Sequence, residues 1–355
     1  MRYTNACVNF MGEIRTEVYC TYQAAPKHQF RGHPESPRRM KWMEEWPVNS
    51  PFPEIRWLDY SPAAIPDVSF VHRSALLKML EKESALGSHE FEPAPSYVTV
   101  ASFSAALSAA GATLAVSRRI IDDGRGRGFA IVRPPGHHAE SDHAMGFCLL
   151  NNVAIAAADA VASGLSRVAS FDLDAHHGNG TEAIFWESPE VAYCSIHESG
   201  SYPGTGVLDS APHARSRIVN IPVPPFSGNR TFFRVMEAVV EPWLAAFEPE
   251  MLFVSAGFDA HFSDPLTTLS VDTSGFHALA KKLMALSALY CRDRMMFVLE
   301  GGYDPVALRD NLQAVLAAFC GHQAFPDHFG KGPDVQVAID PLIETIQRLH
   351  HLKEI

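Results

Sequence analysis

Six short runs rich in apolar and β-branched residues punctuate the chain: 128–132 (GFAIV), 167–174 (RVASFDLD), 191–196 (VAYCSI), 217–223 (RIVNIPV), 250–257 (EMLFVSAG) and 294–302 (RMMFVLEGG). Several are apolar at successive positions, the pattern of a strand covered on both faces. Between them lie Ala-rich or amphipathic stretches of helical length at 103–121, 151–163, 229–247, 274–291 and 305–319. Strand and helix in alternation predict an α/β fold with one mostly parallel sheet and helices on both sides. The proline-laden stretch 46–66 reads as a surface connection. No internal repeat, low-complexity tract or Gly/Ser/Pro-rich linker interrupts the pattern, so a single domain over residues 1–355 is expected.

Composition narrows the class. A hydrophobic content of 47% over 355 residues suffices for one large core or two smaller ones. No run of 18 apolar residues suggests a membrane span, and the start MRYTNACVNFMGEIRTEVYC lacks the layout of a secretion signal. A soluble, unexported, cytoplasmic protein is expected. Cys7, Cys20, Cys148, Cys194, Cys291 and Cys320 are scattered without CxxC spacing, which argues against a disulfide framework and a Cys-type zinc site. The net charge, 29 − 40 = −11, comes with no basic stretch, so direct nucleic-acid binding is not expected. An acidic exterior favours cationic substrates.

The polar motifs fall just beyond the apolar runs, and in parallel α/β sheets ligands bind where the strands' carboxyl ends meet their loops. Strand alternation through Asp172-Leu173-Asp174-Ala175-His176 would turn Asp172, Asp174 and His176 to one side. Asp259 arrives at the same edge after Ser255-Ala256-Gly257-Phe258. Asp174, His176 and Asp259 would give a divalent metal two carboxylates and one imidazole and leave positions open, as a catalytic site requires. Two anionic ligands acidify a bound water less than three histidines do, so an external base is needed. His137 and His138, on the turn Arg133-Pro134-Pro135-Gly136, are suited to that work near neutral pH. Tyr303, in Glu300-Gly301-Gly302-Tyr303, could donate a hydrogen bond to a developing oxyanion.

The segments RGHPESPRRM (31–40), RPPGHHAESDHAMGFCLLNN (133–152), DLDAHHGNG (172–180), SIHESGSYPGTG (195–206), SAGFDAHFSDPL (255–266) and EGGY (300–303) together resemble the histone deacetylases and acetylpolyamine amidohydrolases, in family order and over most of the chain. The resemblance implies an arginase-like three-layer αβα domain. It implies zinc ligation by Asp174, His176 and Asp259, with His138 as general base and acid, His137 as an electrostatic partner held by Asp172, and Tyr303 polarising the carbonyl. Gly146, Phe147 and Tyr202 would wall a narrow acyl-amine channel, with Leu266 near its rim. A monovalent cation, usually potassium, would be held by the side chains of Asp172 and Ser195 and the backbone carbonyls of Asp174, His176 and Ile196. Asn179 stands where some members carry an aspartate behind His138, as in many class II members; an amide stabilises a histidine cation less, so a lower pKa is expected there.

Blander readings compete at single positions. Asp172 or Asp259 alone would serve as well to cap a helix or fix a loop, and His137 and His138 alone as satisfied core histidines. Spacing and number favour the metal reading. PGTG (203–206) lacks the lysine of a phosphate-binding loop. His33, His143, His177, His197, His261 and His277 read as mostly structural, with His177 and His197 behind the metal ligands and His33 near the channel mouth. Cys148 reads as a small packed residue. The expected reaction is hydrolysis of an N-acyl amide. Acetyl-lysine in peptides or proteins is favoured over acetylpolyamines, because Leu266 stands where vertebrate-type polyamine enzymes carry a glutamate and residues 20–45 hold no counterpart of a dimer-closing loop. Glu90, Glu92 or Ser96 would hold the substrate backbone. Zinc or ferrous iron both suit oxygen-rich ligation. A noncatalytic acyl-amine binding module would have lost a ligand, the base or the tyrosine; an arginase-type site with two manganese ions needs further bridging carboxylates.

Overall fold

The computed structural model describes residues 16–91, 96–333 and 335–352; Cys7 and Glu92 lie outside them. Eight strands form its main sheet: β1 (Val18–Gln23), β2 (Ile55–Trp57), β3 (Gly126–Val132), β4 (Val168–Asp172), β5 (Val191–Glu198), β6 (Ile218–Val223), β7 (Met251–Ala256) and β8 (Arg294–Leu299). They stand in the order β2-β1-β3-β8-β7-β4-β5-β6, with every pairing parallel. Parallel strands buried on both faces need apolar side chains at odd and even positions alike. Phe129, Phe171, Val254 and Phe297 accordingly enter one core layer, and Ala130, Phe253, Met296 and Val298 the other. Burying one such large side chain contributes about 1.5–3 kcal/mol.

Helices α1 (Ser102–Asp123) and α2 (Asn152–Ala162) cover one face, and α3 (Thr273–Tyr290) and α4 (Pro305–Phe319) the other. Buried Ala109, Ala110 and Ala112 let α1 lie close to the sheet. Side-chain caps begin the others: Asn151 accepts from Ala154 N, Asp272 from Gly275 N, and Asp304 from Val306 N and Ala307 N with Pro305 in the first turn. The expected helix 229–247 is continuous, with a π-helical stretch at Met236–Val240.

Two strands at one end of the sheet, β2 at its edge and β1 beside it, escape the sequence pattern. The stretch 46–66 is more than a connection, since Ile55–Trp57 pairs with β1. Three residues are too few to show a period. In β1, polar Thr21 and Gln23 break the apolar run; Thr21 is buried because its hydroxyl donates to Ala112 O at 3.2 Å.

Site-forming loops leave four neighbouring strands at one level. Ala130, Val298, Ser255 and Asp172 stand in register across β3, β8, β7 and β4. Behind these loops, a buried ion cluster ties distant segments together. Glu35 takes Arg133 Nε at 2.5 Å and Nη2 at 2.8 Å, and Arg39 Nη1 at 3.3 Å. Arg39 also donates to the carbonyls of Glu300 and Gly302, each at 2.6 Å, and Arg133 to those of Ala24 and His28 at 2.6 and 3.1 Å. Burial pushes the Glu35 carboxyl up, but Arg133, then His28 and Arg39, outweigh it and hold it at about 2.

Glu35→Gln leaves two buried guanidinium groups short of their counter-charge and should lower unfolding free energy by about 3–5 kcal/mol in urea titration. The folded value is depressed, so the wild-type contribution is complete above the unfolded carboxyl value near 4.3 and is lost as pH falls towards 2. A wild-type urea midpoint in Glu35→Gln would contradict this.

Candidate active site

Asp174, His176 and Asp259 offer ligand atoms that all lie within 4.8 Å of one another, in a buried setting. His176 Nδ1 stands 3.1 Å from Asp174 Oδ1 and 2.8 Å from Asp259 Oδ2. The outer oxygens are tied back, Asp174 Oδ2 by Gly301 N at 2.8 Å and Asp259 Oδ1 by Ala175 N at 3.0 Å. Such anchoring aims the remaining lone pairs at a common point. A side chain at Gly301 is impossible, because its Cβ would fall 2.5 Å from Asp259 Oδ2 and 2.6 Å from Asp174 Oδ2.

The electrostatics call for a cation. Burial would raise Asp174, but His137 and His176 overrule it and hold it well below the carboxylate range. Asp259 is raised by burial and by Asp174. His176 is raised despite burial, because both carboxylates favour its cation. Facing carboxylates in a dry site are stabilised by a positive charge between them, and this oxygen and nitrogen donor set fits a divalent transition metal with open coordination positions.

Strand alternation does not carry through the whole DxDxH segment. β4 ends at Asp172, and Asp174 and His176 lie in the turn beyond it. Asp172 therefore faces elsewhere: its Oδ2 meets His137 Nδ1 at 3.1 Å and Tyr193 OH at 3.3 Å, and its Oδ1 accepts Asp174 N. Burial works against a charged His137, yet Asp172 and Asp174 lift its pKa to about 10. A metal on Asp174 would oppose that shift.

His138 sits 4.0 Å from His137, ring centre to ring centre. Its Nδ1 lies 2.8 Å from Asn179 Oδ1, while Asn179 Nδ2 donates to Glu140 Oε1 at 2.9 Å. The acidic partner fixes the amide's orientation, so His138 Nδ1 carries the hydrogen and Nε2 is the free base. Burial, then His137 and His176, push its pKa well down.

A cavity of about 400 Å³ opens beside these groups, lined by His138, Gly146, Phe147, His176, Ser201, Tyr202, Leu266 and Tyr303. Gly146 has φ +57° and no room for a Cβ, which would lie 2.4 Å from His138 Cδ2 and 2.9 Å from Tyr202 Cε1. Phe147 N donates to buried Ser96 Oγ at 3.0 Å, and His33 packs edge-on against the Phe147 ring at 4.5 Å. Ser96 thus braces the wall, and Glu90 is exposed on a two-residue strand. Tyr303 meets Phe147 edge-on at 5.7 Å and carries the Arg39 guanidinium over its ring at 5.0 Å. Burial keeps the Tyr303 hydroxyl protonated, and the nearby aspartates add to that. Asp264, whose oxygens accept Tyr303 N at 2.7 Å and Leu266 N at 3.0 Å, fixes both residues.

Asp172 and Ser195 are register partners on β4 and β5, with Ile196 next along; Ser195 Oγ also meets His197 Nδ1 at 2.9 Å. The buried Cys148 thiol is pushed well up and points to Gly146 O at 3.4 Å, as a packed residue would. His137, Cys148 and Glu300 form a second close group, but both His137 nitrogens already face carboxylates. Ser201, Glu35, Asp264 and Glu140 were not singled out from sequence. All four lie within the quoted motifs, which is the available signal.

The histone deacetylase domain profile matches residues 33–319. A "probable deacetylase" of Archaeoglobus fulgidus is 33% identical over 96% of this chain and 97% of its own. "Histone deacetylase 10, chloroplastic" of Oryza sativa is 34% identical over 88% of this chain and 75% of its own. The crystal structure of the HDA15 HD domain superposes with a TM-score of 0.83 at 29% identity, covering 94% of this chain and 95% of that one.

An aspartate at 179 would favour the imidazolium of His138 by adding a charge 2.8 Å from Nδ1. Asn179→Asp should therefore raise the His138 pKa by about one unit or more, read from its imidazole ¹⁵N shifts against pH. An unmoved titration would sever the link between Asn179 and His138.

Proposed function

Because this chain belongs to the histone deacetylase family, we propose that it is a zinc-dependent amidohydrolase that removes acetyl groups from acetyl-lysine in peptides or proteins. That His138, Tyr303 and His176 of the Asp174–His176–Asp259 cluster line one cavity carries this reading. A zinc ion on Asp174, His176 and Asp259 would supply Lewis acidity to the substrate carbonyl and acidify water at the open position.

The protein's own groups do the rest. His138 Nε2, left basic by the Nδ1 hydrogen bond to Asn179, takes the proton of the attacking water and returns it to the departing amine. His137 stays fixed by Asp172 and stabilises the negative charge that gathers beside it. Tyr303 donates to the carbonyl oxygen as it becomes an oxyanion, an interaction worth about 100- to 1000-fold in rate. Phe147 and Tyr202 flank the aliphatic arm of the substrate and exclude water, with Gly146 leaving room between them and His138. Leu266, 41% exposed at the rim, offers an apolar surface instead of a charge for a polyamine's ammonium groups.

The turn behind the metal site would hold potassium through Asp172, Ser195 and the carbonyls of Asp174, His176 and Ile196. We read residues 1–355 as one catalytic domain. Among the described residues Cys20, Cys148, Cys194 and Cys291 are free thiols, which suits a reducing compartment, the cytoplasm in this reading. No described helix is long and apolar enough to cross a membrane.

Metallated protein should deacetylate acetyl-lysine peptides faster than acetylated polyamines, and a hydroxamate chelator should stop it. Tyr303→Phe and His138→Ala should each cost at least about 100-fold in kcat. Preference for the polyamines would reassign the substrate. No turnover on either, from fully metallated protein, would favour a noncatalytic binder of acyl amines.

A further inference from the structure

The Glu300 side chain takes no part in the steps assigned to His137, His138 and Tyr303, although it reaches the backbone of the histidine pair. Glu300 follows β8 and is fully buried. Its backbone is held on both sides: its N–H donates to Ala256 O at 3.1 Å, and its carbonyl accepts Arg39 Nη2 at 2.6 Å. Its side chain crosses to the loop after β3, where one oxygen, Oε2, accepts both Gly136 N at 2.6 Å and His137 N at 3.1 Å. The other oxygen, Oε1, is buried without a hydrogen-bond partner.

A buried carboxylate with one idle oxygen is an expensive way to hold two N–H groups. Its oxygen satisfies both N–H groups in either protonation state, and more strongly when ionised, since hydrogen bonds to an ionised acceptor are about twice as strong as neutral ones. Burial raises the Glu300 carboxyl more than His137 and the two N–H groups lower it, so it stands at about 7. The loop it holds has an exacting task. His137 and His138 are adjacent, yet one ring is tied to Asp172 and the other to Asn179. The carbonyl side of this turn is held by Thr181 N, which donates to His137 O at 3.1 Å, and by Ala139 N, which donates to Gly136 O at 2.9 Å; the N–H side needs a separate anchor. The backbone N–H groups before and at His137 are the ones that Glu300 pins.

We propose that Glu300 is a positioning residue for deacetylation: its Oε2 fixes the Gly136–His137 backbone and thereby the aim of His138 Nε2 into the cavity. The proposal rests on the reading of His138 as the base. Glu300 itself touches no reacting atom.

Two variants separate positioning from bulk stability. Glu300→Gln keeps an oxygen for the two N–H groups; Glu300→Met fills similar space and offers no comparable acceptor. Metallated wild-type protein and both variants are compared by kcat and KM on an acetyl-lysine peptide and by imidazole ¹H–¹⁵N spectra. In Glu300→Met, kcat should fall about 30- to 100-fold with KM within about twofold, as displacing a base by an ångström or less would produce. The His138 Nδ1–H resonance should broaden or disappear. Glu300→Gln should restore kcat to within about fivefold and restore the resonance. Should Glu300→Met fail to fold, Glu300→Asp, which draws the oxygen back by one methylene, should lower kcat at least about tenfold.

The proposal is overturned if the soluble non-glutamine variant keeps wild-type kcat and spectra, or if Glu300→Gln is impaired as severely as it is. His138→Ala, run alongside, tests the underlying reading separately. If that variant keeps full turnover, the base is misassigned, while the imidazole spectra still decide whether Glu300 orders the loop.

Discussion

Two buried carboxylates held against one imidazole set the terms for the rest of this structure. Asp174 and Asp259 reach the same point from neighbouring strands β4 and β7, with His176 Nδ1 within 3.1 Å of both. Like charges brought so close in a dry interior are unfavourable by themselves. A cation between them turns the strain into binding energy, and everything around the cluster keeps that position rigid. Backbone N–H groups of Gly301 and Ala175 hold the outer oxygens, and residue 301 must be glycine for want of space.

The rigidity is carried by polar groups buried behind the loops, at a cost the apolar layers on both sheet faces offset. Glu35 binds Arg133 and Arg39 together; Arg39 grips the carbonyls on either side of Gly301, and Arg133 begins the turn that bears His137 and His138. The Asp174–His176–Asp259 cluster, the histidine pair and Tyr303 therefore share one buried scaffold. Preorganisation of this kind lets donors meet a developing charge without rearrangement at the moment of reaction. The cavity wall follows the same rule, with Asp264 fixing Tyr303 and Leu266, and Ser96 fixing Phe147.

Much of this was legible in the chain. The central strands and five of the described helical segments follow from the sequence, because strands buried on both faces read as continuous apolar runs and the helices between them as Ala-rich or amphipathic stretches. The site's polar residues stand just past those strands, where topology alone gathers them. What was hidden has physical reasons. β2 has only three residues, and β1 mixes Thr21 and Gln23 into its run. Strand alternation would place Asp172 beside Asp174 and His176, but β4 ends at Asp172 and the turn beyond it follows local hydrogen bonds, so Asp172 meets His137 as the family resemblance implies. Asp264 and Glu35 sat within recognised motifs, yet their partners are backbone groups and side chains far along the chain, which spacing does not reveal.

In the proposed function a single divalent ion would sit at Asp174, His176 and Asp259, and calorimetric titration of metal-free protein with Zn²⁺ probes this directly. One saturable site per chain, lost in Asp259→Ala while that variant remains folded, is the expected result. Binding unaffected by Asp259→Ala, or saturation at two ions per chain as a bridged two-metal centre would give, contradicts it.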